Sequence, residues 1–159
     1  MIPRHTPTYT YSDIFRSLGK CIQRNGYSDL SQYLSNLYKA KYVFLFCSAK
    51  SALYALLKAY DNPGGVLMPA YNDRVVPETV SFAGYRPEFI DIDPYTLNMP
   101  SERLQSSITS EIKVIIPVHL FGIPCNLEDI ARLKGSKNIL VIEDAAPAFG
   151  AKYRGELVG

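Results

Sequence analysis

Residues that bind metal ions or form disulfides are scarce in this sequence. The 159 residues include two histidines, His5 and His119, and three cysteines, Cys21, Cys47 and Cys125. Two histidines exclude a histidine-rich metal site, and no C-x-x-C pair is present to begin a zinc cage. An odd number of cysteines also argues against a disulfide framework. We therefore predict no metal site, and Cys47, which lies in an apolar run, is predicted to be a small buried hydrophobic residue.

Strong charge and long apolar runs are absent as well. The formal net charge is +2 and the basic residues are scattered, which argues against a nucleic-acid partner. No stretch approaches the roughly 20 apolar residues that a membrane span needs, and residues 1–7 lack the apolar core of a signal peptide. The sequence therefore predicts a cytoplasmic protein that binds neither nucleic acid nor membranes.

The first 40 residues differ in pattern from the rest of the chain. They are polar and aromatic, and helices are predicted at 12–18 and 27–38, the second from apolar residues at helical spacing. From residue 41 onwards, apolar runs alternate with helical segments. We predict an N-terminal helical segment at 1–40, followed by one larger domain at 41–159.

The larger domain reads as an alternating series of strands and helices. Strands are predicted at 42–47, 66–68, 86–92, 113–118 and 139–142, helices at 51–60, 74–82, 101–107 and 127–133, and a hairpin turn at 153–156. The first of these strands is a continuous apolar run, as expected of a strand buried on both faces. Such alternation predicts an α/β fold, with a mostly parallel sheet and helices on both faces.

Ligands of parallel sheets bind at the carboxyl ends of the strands. That rule selects four stretches of this sequence, at 48–51, 69–72, 119–122 and 144–149. The first contains Ser48 and Ser51, where small residues turn a strand into a helix. A helix start offers free N–H groups and a positive dipole end for a phosphate, although Ser48 is also an ordinary helix cap. The stretch lacks the glycines of a P-loop or a dinucleotide fingerprint, which disfavours a nucleotide-binding Rossmann domain.

The other stretches each carry one side chain of chemical interest. Tyr71 would stack on a flat heterocycle, or it is one of twelve tyrosines in the core or on the surface. Asp144 ends an apolar strand and, if buried, needs a cation or hydrogen-bond donors, which a protonated ring nitrogen would supply; the alternative is a helix cap or an exposed acid. His119 is either catalytic or, as favoured, a hydrogen-bonded structural residue. Glu143 is expected on the opposite face from Asp144.

Five segments, in this order, resemble motifs of the DegT/DnrJ/EryC1/StrS family of enzymes, which depend on pyridoxal 5′-phosphate (PLP) and have the type I aminotransferase fold. Each motif alone is weak, but the shared order and spacing are specific, and the likeness runs over nearly the whole chain. The matching segments are Ser48-Ala49-Lys50-Ser51-Ala52-Leu53, Pro69-Ala70-Tyr71, the stretch at 87–96, Pro117-Val118-His119-Leu120-Phe121-Gly122, and the stretch at 142–150.

The resemblance implies a cofactor role for several residues. Backbone groups around Ala49 and Lys50 would hold the phosphate of PLP, with the helix start at Ser51 behind them. Tyr71 would stack on the pyridine ring, and Asp144 would pair with the ring nitrogen and keep it protonated. Residues 41–159 would then be an incomplete PLP-binding large domain, without its C-terminal part and without the small domain of the family.

Three positions depart from the family pattern. Ala49 stands where the family has glycine, a mild change if its φ is negative. Pro147 stands where the family has a glutamine near the ring hydroxyl of the cofactor, and proline cannot make that contact. The lysine that forms the Schiff base with PLP is expected beyond Gly159, so no catalytic residue is predicted here and the chain alone is expected to be inactive.

The resemblance implies an aminotransferase that acts on a nucleotide-linked keto-sugar, with an amino acid such as glutamate as donor. It also implies a homodimer in the full-length protein, and a role in nucleotide-sugar metabolism that leads to cell-surface polysaccharides or secondary metabolites. Two alternatives stay open: a PLP-dependent sugar dehydratase of the same family, in which histidine replaces the lysine, and a degenerate, non-catalytic binding or oligomerisation partner.

Overall fold

The computed structural model describes residues 10–23 and 26–159, so residues 1–9 of the predicted N-terminal segment lie outside the description. The chain divides into two compact units, Met1–Leu45 and Phe46–Gly159. The first unit contains helices α1 (Tyr11–Gln23) and α2 (Gly26–Tyr38). Helix α1 is longer than the predicted 12–18, chiefly at its C-terminal end. At its start, the Thr10 N–H and hydroxyl both donate to Oδ2 of Asp13, at 2.8 and 2.7 Å.

The second unit is the alternating α/β region. Its elements in chain order are α3 (Ala49–Tyr60), β1 (Gly65–Pro69), α4 (Val75–Phe82), β2 (Arg86–Ile90), α5 (Ser101–Ser107), β3 (Ile112–Ile115), α6 (Leu127–Lys137), β4 (Leu140–Val141), β5 (Lys152–Tyr153) and β6 (Glu156–Leu157). Short 3-10 helices at Leu120–Gly122 and Ala146–Ala148 follow β3 and β4.

Four of these strands form one parallel sheet in the order β2-β1-β3-β4. Side chains of β1 alternate between its faces: Val66 and Met68 pack with Leu57 of α3 and Val80 of α4. Leu67 packs on the other face, in a cluster with residues of α5 and α6 (Leu104, Ile130). The predicted parallel sheet with helices on both faces is confirmed.

The hairpin after β4 has the geometry that its sequence predicts. Strands β5 and β6 pair antiparallel, with Tyr153 opposite Glu156. The two residues between them, Arg154 and Gly155, have φ of 51° and 91°. Positive φ at both central positions defines the type I′ turn of tight hairpins, and glycine is favoured at the second position.

The predicted first strand, at 42–47, is absent from the structure. The segment is irregular and pairs with no strand among the described residues. Phe44 is 74% exposed, and Cys47, predicted to be buried, is exposed as well. An apolar run is buried on both faces only where strands flank it, as β2 and β3 flank β1, and this segment has no such neighbours.

Over the same described residues, no helix combines the length and apolar character that crossing a membrane requires.

Candidate functional site

The topology brings all four stretches selected from the sequence to one edge of the sheet. Strands β1, β3 and β4 are parallel, so the residues that follow them lie at a common carboxyl edge. A parallel bridge between Val118 and Asp144 continues this edge beyond the regular ladder. Helix α3 leads into β1 through a short turn and packs against the sheet through Leu57, so its N-terminus lies at the same edge.

The start of α3 is closed by a capping box. The Ser48 Oγ accepts the Ser51 N–H at 3.1 Å, and the Ser51 Oγ accepts the Ser48 N–H at 3.2 Å. The ordinary helix cap that the sequence allowed is therefore present, and it occupies the hydroxyl of Ser51. The N–H groups of Ala49 and Lys50 are among those that a helix leaves without an intrahelical acceptor. They are the donors that this turn offers to an anion.

The replacement of glycine by Ala49 carries no backbone strain. Ala49 is the first residue of α3, and it is not among the described non-glycine residues with positive φ. The condition under which the change is mild is thus met. Lys50 follows with an exposed side chain.

Tyr71 lies just beyond β1 with an exposed ring, and a second aromatic residue stands beside it. The ring centroids of Tyr71 and Phe121 are 6.0 Å apart, with 36° between the ring planes. Phe121 is 63% exposed and has a φ of 56°, a left-handed conformation that is unusual for a bulky residue. Such strain concentrates at functional positions. Sequence reasoning missed Phe121; its only signal was its place between a selected histidine and Gly122.

Asp144 is half-buried and is fixed by its main chain. Its N–H donates to the carbonyl of Pro117 at 2.9 Å, and its own carbonyl accepts the His119 N–H at 3.1 Å. The carboxylate Oδ1 accepts the Ala146 N–H at 3.1 Å. No cation lies within ion-pair distance of Asp144 among the described residues. The sequence predicted a need for either a cation or hydrogen-bond donors beside this carboxylate, and the protein supplies a donor. The second carboxylate oxygen, Oδ2, forms no hydrogen bond among the described residues.

Pro147 lies in the 3-10 helix that follows Asp144, and its side chain is exposed. Its carbonyl oxygen is 3.7 Å from the point that a Cβ on Gly122 would occupy. The turn after β4 and the turn after β3 are therefore adjacent. Pro147 offers no side-chain hydrogen bond at this position.

His119 is fully buried and both of its ring nitrogens have partners. Nδ1 accepts the Cys125 N–H at 3.0 Å, and Nε2 lies 3.2 Å from Oε2 of Glu143. Because Nδ1 accepts, the ring proton resides on Nε2 and is donated to Glu143, which makes the imidazole neutral in this network. This is the hydrogen-bonded, structural arrangement favoured from the sequence.

Glu143 is the partner that the sequence did not reveal. Besides the His119 ring, its Oε2 accepts the N–H of Gly159 at 3.0 Å. The hydrogen bond from His119 holds the pKa of Glu143 below its usual range, against the opposing effect of burial, and the Gly159 N–H lowers it further. Strand alternation predicts that Glu143 and Asp144 lie on opposite faces, but it does not predict the hydrogen-bond partners of Glu143.

Metal ligands do not come together at this edge. Across residues 10–23 and 26–159, no group of three or more histidine, cysteine, aspartate or glutamate side chains is placed to hold a metal ion.

Solved structures define the class of protein first. The structure superposes on a proposed sugar aminotransferase from Streptococcus pneumoniae in its PMP form, with a TM-score of 0.88 and 26% identity, over 100% of this chain and 45% of the other. It also superposes on Escherichia coli GDP-4-keto-6-deoxy-D-mannose-3-dehydratase with bound hydrated PLP, with a TM-score of 0.87 and 20% identity, over 99% and 44%. The fold is that of the PLP-dependent aminotransferases.

The family follows from the sequence comparison. The profile of the DegT/DnrJ/EryC1/StrS aminotransferase family matches residues 13–159, and the chain belongs to this family. The resemblance of the five motifs is thereby confirmed.

Two curated relatives illustrate the similarity. GDP-perosamine synthase of Escherichia coli O157:H7 is 30% identical over 99% of this chain and 46% of its own length. A pleiotropic regulatory protein of Geobacillus stearothermophilus is 41% identical over 66% of this chain and 28% of its own length. The chain thus spans less than half the length of these relatives.

Proposed function

We propose that this chain is the N-terminal part of a PLP-dependent aminotransferase that transfers an amino group to a nucleotide-linked keto-sugar, with an amino acid such as glutamate as donor. Residues 1–40 would form a helical segment and residues 41–159 an incomplete PLP-binding large domain. The observation that carries the proposal is the carboxylate of Asp144, held at the carboxyl edge of the sheet with no ionic partner among the described residues.

The residues at this edge fit the cofactor group by group. The N–H groups of Ala49 and Lys50 at the start of α3 suit a phosphate, with Ser51 maintaining the helix start through its capping hydrogen bonds. The exposed ring of Tyr71 offers a stacking face. Asp144 retains a carboxylate oxygen that is free among the described residues, and it would accept a hydrogen bond from a protonated pyridine nitrogen. Phosphate, ring face and ring nitrogen are three of the features by which a protein holds PLP.

When bound, PLP supplies an electron sink for removal of a proton from the α-carbon of the amino donor. The role of Asp144 is to keep the ring nitrogen protonated, because its negative charge favours the charged form of that nitrogen. Pro147 provides no donor where the family has glutamine, so the electronics of the ring would depend more heavily on Asp144. The lysine that would bind the cofactor covalently and carry the proton is expected beyond Gly159.

The same proposal places the full-length protein in the cytoplasm as a homodimer, in nucleotide-sugar metabolism that serves cell-surface polysaccharide or secondary metabolite synthesis. Its substrates would be the sugar and the amino acid. Support comes from the family and from a relative named as a GDP-perosamine synthase.

A sugar dehydratase of the same family is the second candidate. The observation that favours it is the fold shared with GDP-4-keto-6-deoxy-D-mannose-3-dehydratase. A histidine at the position of the cofactor lysine, read in the coding sequence after Gly159, would select the dehydratase. A non-catalytic partner protein is favoured only by Pro147, and loss of both lysine and histidine at that position would select it.

The test uses the full-length gene product and the substitution Asp144→Asn. Asparagine keeps the size of the side chain but cannot hold a proton on the ring nitrogen as a carboxylate does. We expect conversion of bound PLP by glutamate to slow roughly 30- to 1000-fold, or about 2–4 kcal/mol, in single-turnover absorbance measurements. Affinity for pyridoxamine 5′-phosphate, which cannot form a Schiff base with stray lysines, should fall as well.

Asp61→Asn is the matched control, because Asp61 is exposed and lies at the C-terminal end of α3, the end opposite Ala49. It should leave rate and affinity unchanged. If Asp144→Asn behaves like this control in both measurements, Asp144 does not face the cofactor and the proposal fails.

A further inference from the structure

Two polar residues at the carboxyl edge take no part in the proposed cofactor site, yet they form hydrogen bonds with the segments that carry the site residues. His119 is fully buried and Glu143 is half-buried, and their side chains meet at 3.2 Å. They come from different strand ends, 24 residues apart in sequence. A buried polar pair costs desolvation, and an apolar pair of similar volume often stabilises a fold as well or better. The pair therefore calls for an explanation beyond stability.

The hydrogen bonds of this pair have fixed directions. The Cys125 N–H donates to Nδ1 of His119, so only Nε2 carries a proton, and its acceptor is Glu143. Glu143 also accepts the Gly159 N–H at 3.0 Å. Three segments of the chain, after β3, after β4 and after the hairpin, are thus joined through one carboxylate. Unlike apolar contacts, these bonds specify orientation.

Asp144 belongs to the same network of hydrogen bonds. It follows Glu143 directly, and its carbonyl accepts the main-chain N–H of His119 at 3.1 Å. The carbonyl of His119 in turn accepts the Gly122 N–H at 3.3 Å, which fixes the turn that carries Phe121. A displacement of the His119 main chain would therefore shift both the end of β4 that carries Asp144 and the turn that carries Phe121.

We propose that His119 and Glu143 are positioning residues that orient Asp144 and the turn at Phe121 for the bound cofactor. This inference rests on the proposed function, since it concerns the same site. Neither side chain needs to touch the cofactor; they act through the strand ends they join.

The experiment is performed on the full-length gene product and measures two quantities for each variant: the dissociation constant for pyridoxamine 5′-phosphate, and the unfolding temperature of the cofactor-free protein. Glu143→Ala removes the acceptor of the His119 ring and of the Gly159 N–H. We expect the dissociation constant to rise about tenfold, the size of effect that loss of an outer hydrogen-bond partner has at metal sites. Glu143→Gln should restore most of the affinity, because its Oε1 can accept both hydrogen bonds.

A second pair of variants separates the two bonds of the histidine. His119→Gln can still reach Glu143 with an N–H donor, whereas His119→Asn can accept the Cys125 N–H but is too short to reach Glu143. We expect His119→Asn to weaken cofactor binding more than His119→Gln. Glu88→Gln, at the exposed ion pair with Arg86 on β2, is the control for removing a carboxylate and should change neither quantity.

The outcomes separate this inference from the proposed function. If Asp144→Asn lowers the affinity while Glu143→Ala and His119→Asn lower only the unfolding temperature, the pair is merely structural and the inference is overturned. If Asp144→Asn changes neither the affinity for pyridoxamine 5′-phosphate nor the rate of the half-reaction with glutamate, the proposed function itself fails. Should His119→Asn not fold, Glu143→Ala decides alone, because its partly exposed site admits water in place of the lost side chain.

Discussion

Two apolar runs of this chain, at 42–47 and 113–118, are both predicted to be strands that lead into candidate site residues, and the first is predicted to be buried on both faces. The second is buried from Val114 through Leu120, pairs with β1 and β4, and ends in the His119 network. The first is irregular, exposes Tyr42, Phe44 and Phe46, and ends in the open turn at Ser48. Composition alone does not distinguish the two runs. The difference lies in neighbours, because a strand is buried only when other strands satisfy its backbone on both sides.

The largest expected difference between the two regions is in the reactivity of their cysteine thiols. Cys47 ends the first run and is exposed, whereas Cys125, which packs behind the second, is 1% exposed. Burial raises the pKa of the Cys125 thiol to about 12, and the charge of Glu143 adds to this effect. Because the thiolate is the reactive form, we expect iodoacetamide at pH 8 to label Cys47 at least about 100 times faster than Cys125, as followed by peptide mass spectrometry.

Labelling in urea is the control, since both cysteines should then react at similar rates. Equal rates in the folded protein would show that the two regions do not differ in burial as described.

Core truncation tests the same contrast by stability. Ile115→Ala removes a side chain that is 0% exposed, and should lower the free energy of unfolding by about 2–5 kcal/mol. Phe44→Ala removes a larger side chain that is 74% exposed, and should change it by less than about 0.5 kcal/mol. Urea denaturation of the 159-residue chain measures both. A loss at Phe44 as large as that at Ile115 would mean that the first run is packed after all.

The hydrogen-bonded pair of His119 and Glu143, at the end of the second run, should make a smaller contribution to the free energy of unfolding, and that contribution should depend on pH. The folded-state pKa of Glu143 is lowered, chiefly by the His119 hydrogen bond, so folding favours its ionised form. Its contribution to stability is therefore fully present above the unfolded-state pKa, about 4.3, and is lost as pH falls through the lower pKa of the folded state. Glu143→Gln keeps neutral hydrogen bonds but cannot titrate, and should cost about 1 kcal/mol at pH 7.

The difference between Glu143→Gln and the wild type should accordingly shrink as the pH falls below about 4. Urea denaturation at pH 3, 5 and 7 measures this trend. A difference that stays constant over this range would show that Glu143 is not ionised by preference in the folded chain.

Much of the second unit was predictable because its signals are local. Short apolar runs bounded by turn residues predicted β1 and β3, and the segments between them were predicted to be helices. Strand ends were less predictable: the regular ladder of β3 stops at Ile115, shortly before Pro117, which has no N–H to donate. Strand β2 ends at Ile90, whose carbonyl accepts the Ala70 N–H just past the end of β1. The end of β3 thus reflects a proline in its own sequence, whereas the end of β2 depends on the neighbouring strand.

The site residues also fall into those that local sequence predicts and those that depend on contacts in the folded chain. The rule for carboxyl ends selected Tyr71 and Asp144 from position alone, and topology then placed them at one edge. The roles of Phe121 and Glu143 depend on a ring contact and on a hydrogen bond across 24 residues of sequence. No local pattern encodes such contacts. Strand alternation gave the direction of Glu143 but not its partner, and backbone conformation at Phe121 emerged only in three dimensions.

The outer strand β2 also bears on how the protein avoids aggregation. The N–H of Arg86 points inward and donates to the Gly64 carbonyl at 2.9 Å, so the next residue, Pro87, occupies a position whose N–H would point outward. Proline has none to offer, and the adjacent Arg86–Glu88 ion pair places charges on the same strand. A strand from another molecule would lack one N–H donor at this edge and would lie beside charged side chains. Both features disfavour edge-to-edge pairing, and natural sheets use them to resist growth into fibrils.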